Sequence, residues 1–138
     1  MVDDVLLNKA AIIERCLERV RAEHDGDDRV LYDNITKQDS IILNLQRACE
    51  AAIDLAMHIV AARRLGIPQE SREAFDLLVT GAALDPALGE RHAGMVGFRN
   101  VAVHDYRRLD LAIVSSIIRH RLDDFTAFTA WAIAASVR

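Results

Sequence analysis

The stretch TKQDSIILNLQRACEAAIDLAMHIVAARRLGIP, from Thr36 to Pro68, decides the fold class. Apolar residues return every three or four positions from Ile41 to Val60, the interval at which side chains stack on one face of an α-helix. Thr36 and Asp39 supply a T-x-x-D that resembles a capping box, Gly66 offers a C-terminal stop, and Pro68 bars continuation. The pattern predicts a helix from Thr36 to Leu65, roughly 43 Å long at ~1.5 Å per residue. Its apolar residues cover more than half the circumference, so it needs neighbours on several sides. Ala48, Ala51, Ala52, Ala56, Ala61 and Ala62 would let another helix approach closely, and part of that surface is expected at a subunit interface.

The rest of the chain reads the same way. Val5, Leu6, Ile12, Ile13, Cys16, Leu17 and Val20 predict a first helix from Asp3 to His24, ended at HDGDDR, where Gly26 takes positive φ and the acids stay in water. Tyr32 is the expected anchor of the irregular VLYDNI that follows. Ser71 is the candidate N-cap of a third helix reaching Thr80, with Gly81 beyond its end. Asp85-Pro86 opens a fourth that runs toward Val103, in which Gly89, Gly94 and Gly97 are expected at close helix contacts. A fifth begins near Asp110, with Leu109 and Val114 as a hydrophobic staple and Trp131 as a packing anchor near its end. The expectation is an all-α, up-and-down bundle of about five helices, one domain spanning residues 1–138.

Composition agrees: 51% of residues are apolar and 28% charged, with six glycines and two prolines. That suits a packed core and argues against strand-and-turn architectures with many tight corners. Phe125 to Val137 is the longest uncharged run, too short and too polar to span a bilayer, and the opening MVDDVLLNKA carries acids where a secretory signal carries bases. Cys16 and Cys49 lack metal-ligand spacing and read as reduced core residues, so a cytoplasmic protein without a membrane segment is expected. A net charge of −4 argues against a sequence-independent binder of long polyanions, and no DNA partner is expected. Yet residues 91–108 hold Arg91, Arg99, Arg107 and Arg108 against one acid, Asp105, a basic island suited to one or two phosphates.

The densest reactive stretch is RNVAVHDY, Arg99 to Tyr106. On one helix Asn100 and His104 differ by about 40° and share a face, whereas Arg99 and His104 stand about 140° apart. A guanidinium and an imidazole so placed meet at one phosphate only if the helix ends or distorts near Val103, or if a second subunit supplies one of them. Each has a task in phosphodiester chemistry. An imidazole can move a proton to or from ribose oxygens, a guanidinium can hold the non-bridging oxygens, and Asn100 can orient His104 or the sugar. No H-x-x-x-H, C-x-x-C or E-x-x-H offers a metal site. Spacing alone leaves His104 and Tyr106 equally readable as helix-end residues bonded to backbone. Glu50, Asp54 and His58 share a face of the long helix; Glu50 and Asp54 could face the basic cleft, although Asp54 is better read as the partner of an arginine from the fourth or fifth helix or from another subunit. His24, His92 and His120 are expected in solvent, with His92 beside Arg91 extending any RNA-binding surface.

Arg99 to Tyr106 matches the R-x4-H-x-Y motif of HepT-like toxins in the HEPN superfamily, and NLQRACEAAIDLAMHI, LGIPQESREAF and MVGFRNVAVHDY resemble the same family. The resemblance covers nearly the whole chain. It implies a dimeric helical bundle with a composite cleft, a metal-independent endoribonuclease needing no cofactor and acting on tRNA or mRNA. It also implies an MntA-like nucleotidyltransferase antitoxin as partner. On the matching positions Arg99 and His104 would be catalytic with Asn100 beside them, Tyr106 would receive AMP, and Arg107 would lie along the cleft. The alternative is a non-catalytic helical partner, or the antitoxin itself, holding a phosphate or a nucleotidyltransferase in the same cleft.

Overall fold

Asn34, not Thr36, starts the long helix: its side chain accepts from the amide of Lys37 at 3.1 Å, and the helix begins at Ile35. The computed structural model describes residues 3–137. Seven α-helices are present among them: α1 (Asp4–His24), α2 (Arg29–Asp33), α3 (Ile35–Ala62), α4 (Ser71–Ala82), α5 (Pro86–His104), α6 (Leu111–His120) and α7 (Leu122–Ser136), with a 3-10 turn at Tyr106–Arg108. No strand occurs among the described residues.

The excess over five has two causes. VLYDNI contributes the single-turn α2, whose anchor is the fully buried Leu31 while Tyr32 stays exposed. The predicted fifth helix is broken at Arg121, where the backbone leaves helical geometry and α7 restarts with Asp123 and Asp124 in its first turn. The apolar stripe runs through the break, so periodicity alone could not locate it. The long helix also ends earlier than expected. Arg64 takes the left-handed conformation at φ 55°, and the amide of Leu65 reaches back to the carbonyl of Val60, closing the end before Gly66. At the end of α4 Ala83 takes that role at φ 58°, leaving Gly81 inside the helix.

Helix α3 is the hub, packed against α1, α2, α4, α5 and α7. Ion pairs give directions: Asp3–His58 and Lys9–Asp54 descend one helix as they climb the other, so α1 and α3 are antiparallel. Phe75–His92 and Ser71–Arg99 show the same for α4 and α5. Ala48, Ala51, Ala52 and Ala56 are buried against the chain's own helices, which leaves only Ala61 and Ala62 of that stripe exposed. Ala48, Ala51, Ala52 and Ala56 therefore serve the monomer core. Close contact explains Gly89, where a Cβ would lie 2.6 Å from Val79 on α4, but not Gly94, which has nothing within 4 Å. Gly94 instead lines an open groove of about 560 Å³ between α5 and α6, with Phe98, Val101, Ile113 and Ile117.

Two histidines expected in solvent are buried. His24 lies 2.6 Å from Asp28, whose carboxylate also accepts from Ser115 and Arg119 at 2.6 Å each. Those bonds, from Ser115 foremost, hold the Asp28 carboxyl well below the usual range, so this acid of HDGDDR ties α1 to α6 instead of facing water. His92 is 2% exposed among Phe75, Phe125 and Phe128, with Nε2 3.0 Å from the carbonyl of Asp124. It cannot extend a nucleic-acid surface. His120 is exposed as expected, and Trp131 stacks on Phe128.

Candidate functional site

Helix α5 runs without a break to His104, and Asp105 caps it through its amide to the carbonyl of Val101. The distortion near Val103 that would bring Arg99 and His104 together within one chain is absent, and the two side chains leave the helix in different directions. Arg99 points between α3 and α4. Its Nη1 pairs with Glu50 at 2.9 Å, its Nη2 donates to Ser71 Oγ at 3.1 Å, and the side chain is 19% exposed. Its Nε is buried without a hydrogen-bond partner. A guanidinium anchored at two points has already lost most of its rotamer freedom, so a phosphate that displaced Glu50 would meet it oriented.

His104 and Asn100 lie one turn apart on the exposed side of α5. Neither side chain hydrogen-bonds to a described residue, so His104 is not a helix-end residue tied to backbone. Val101 and Val103 beside them are exposed, and Val101 borders the groove toward α6. Arg107 is exposed, while Arg108 pairs with Asp105 at 3.3 Å and also lines the groove.

Beyond the cap the 3-10 turn carries Tyr106 back toward α3. Its hydroxyl donates to Asp39 Oδ1 at 2.5 Å, and the residue is 41% exposed. Partial burial, together with the neighbouring carboxylate, pushes the phenol up to about 12. Glu50 and Asp39 are three turns apart on one face of α3, so that helix holds both Arg99 and Tyr106. Of the acids singled out in the sequence, Glu50 reaches the site and Asp54 does not: Asp54 pairs with Lys9 of α1 at 3.1 Å, and not with any arginine. Cys16 and Cys49 are free and buried; burial pushes the Cys49 thiol up to about 12, which makes it a poor nucleophile.

Sequence reading missed two site residues, Asp39 and Ser71, because both resemble capping residues. Asn34 and Glu70 occupy the cap positions instead, which frees Asp39 and Ser71 to hold Tyr106 and Arg99. The signal was present for Asp39: Asn34 is as good an N-cap as Thr36 and stands two residues earlier.

Fold and site together define a class, an all-helical bundle whose longest helix anchors Arg99 and Tyr106 while His104 stays exposed at the end of α5. Comparison with known proteins narrows it. The family model described as Ribonuclease HepT-like matches residues 13–130. A relative from Shewanella oneidensis named mRNA nuclease HepT is 46% identical over 127 residues, 92% of this chain and 95% of its own length. A re-refined structure of a tri-AMPylated Shewanella oneidensis HEPN toxin in complex with MNT antitoxin superposes with a TM-score of 0.90 at 44% identity, over 96% of this chain and 99% of that one. A toxin–antitoxin crystal structure with AMP-PNP gives a TM-score of 0.91 at 44% identity over the same shares. The chain belongs to the HepT-like ribonuclease family.

Proposed function

We propose that this chain is the toxin of a HepT/MntA-type pair, an endoribonuclease that cuts RNA without a metal and is silenced when an MntA-like nucleotidyltransferase transfers AMP to Tyr106. The observation that carries this reading is the exposed His104–Asn100 face beside an arginine held in place by Glu50 and Ser71. His104 takes the proton of the ribose 2′-hydroxyl or delivers one to the departing 5′-oxygen, and Asn100 orients the ring or the sugar. Arg99 binds the non-bridging oxygens and stabilises the charge that develops on them. The 2′-oxygen bonds to phosphorus as the 5′-oxygen leaves, giving a 2′,3′-cyclic phosphate and a 5′-hydroxyl.

One protomer keeps the two groups about 140° apart on a regular helix, so a homodimer completes the site. Support for it comes from the apolar groove between α5 and α6, lined by the exposed Val101 and Ile113, and from Val103, exposed next to His104. Messenger RNA is the first substrate to try, given the name of the Shewanella relative, with tRNA second. No helix among the described residues is long and apolar enough to cross a membrane, and we infer action in the cytoplasm, where such substrates are.

Arg99→Ala and His104→Ala are each expected to lower RNA cleavage in EDTA by about 10²–10³-fold while staying folded. Mixing the two inactive variants is expected to restore about a quarter of the sites, because a two-fold dimer pairs the intact arginine of one protomer with the intact imidazole of the other. Full activity in both folded variants overturns the catalytic assignment. Absence of rescue overturns the shared site, and RNA bound but never shortened favours the non-catalytic partner.

A further inference from the structure

Tyr106 and Asp39 are 67 residues apart in sequence, yet the phenol hydroxyl donates to the carboxylate at 2.5 Å. Among the described residues this is the hydrogen bond of the Asp39 side chain, and it spans from the 3-10 turn to the second turn of α3. Both residues are exposed, so a bulky second protein could reach the phenol while the bond is intact. The phenol, pushed up to about 12, holds almost no phenolate near neutral pH. A phenol that attacks phosphorus there must shed its proton as the new bond forms, and the acceptor must lie within hydrogen-bond reach beforehand. His104 stands two residues away but makes no bond to Tyr106, and Glu50 is engaged with Arg99.

We propose that Asp39 is the proton acceptor for the adenylylation of Tyr106, so that the toxin brings the base for its own inactivation. This rests on Tyr106 being the modified residue. In the step, the Tyr106 Oη–Pα bond of a nucleoside triphosphate forms and the bond from Pα to the bridging oxygen breaks. Pyrophosphate leaves, and the phenol proton passes to Asp39 and from there to water. The partner enzyme needs to supply only the bound nucleotide and its geometry. The product has a built-in consequence. Modified Oη has no proton to donate, and its new phosphate anion sits against the Asp39 carboxylate, so the tie between the 3-10 turn and α3 is lost.

The test uses the purified full chain, an MntA-type nucleotidyltransferase and magnesium ATP, with AMP transfer followed by intact-mass spectrometry and mapped by peptide analysis. Asp39→Asn keeps the size and an oxygen acceptor, so it preserves positioning and removes only the base. It is expected to slow transfer by about 10²-fold, and its rate should climb about tenfold per pH unit as phenolate takes over, while the wild-type rate stays level across neutral pH. Asp39→Glu is expected to recover part of the rate. Transfer to Asp39→Asn at the wild-type rate, or slow transfer with a level pH profile, overturns the proposal and leaves Tyr106 as the modified residue. Wild-type chain that takes up no AMP, or takes it elsewhere, overturns the Tyr106 reading and this proposal together.

Discussion

Helix α5 carries an Arg-His pair in its first half and an arginine and a histidine five positions apart in its second, and the two halves have opposite fates. In the first, Arg91 pairs with the buried Asp124 at 3.0 Å and His92 is enclosed by three phenylalanines. Burial lowers the His92 pKa, so the ring is neutral and takes part in the core as an aromatic with one polar bond. In the second half Arg99 reaches a half-buried glutamate and His104 stays in water with no described partner. The same side chains on one helix become packing or chemistry according to what the other helices put opposite them. Helix α7 covers the first half, while the exposed side of the second half is left open.

The contrast predicts unequal responses to the same substitution. His92→Ala removes a ring from a packed aromatic cluster together with its bond to the carbonyl of Asp124, so a loss of about 3 kcal/mol is expected in urea unfolding. His104→Ala, at an exposed position, should stay within about 0.5 kcal/mol of wild type. Equal losses at both positions would erase the division. A smaller effect sharpens it along the same helix. Gly89→Ala puts a methyl 2.6 Å from Val79 and should destabilise by about 1–3 kcal/mol, whereas Gly94→Ala meets nothing and should stabilise an isolated protomer by up to about 1 kcal/mol, both read as shifts in Tm. If Gly94→Ala also weakens self-association by sedimentation, the groove is the contact between copies.

The smallest effect is in pH. The folded His92 pKa lies below its unfolded value near 6.5, so below that pH the unfolded chain binds the extra proton. This contribution is fully present above about pH 6.5 and drains as pH falls toward the lowered folded value, at no more than about 1.4 kcal/mol per pH unit. Subtracting the profile of His92→Phe from that of wild type should isolate it. A difference that is flat between pH 6.5 and 5 would mean that the ring is not held neutral.

The amino-acid sequence by itself determined that the chain is helical, where α1, α4 and α5 lie to within a few residues, that Asp85 caps α5, and which family it belongs to. Those features are local: periodicity, caps and a contiguous motif are read along the chain, and the physics that makes them acts within one or two turns. Only the tertiary structure decided that the last helix breaks at Arg121, that His24 and His92 are buried, and that Ala48, Ala51, Ala52 and Ala56 of α3 are packed inside the monomer. It alone turned Asp39 and Ser71 from apparent caps into the partners of Tyr106 and Arg99. The physical reason is that burial and long-range hydrogen bonds depend on which helix lies across from a residue, and that is settled by packing the whole chain at once.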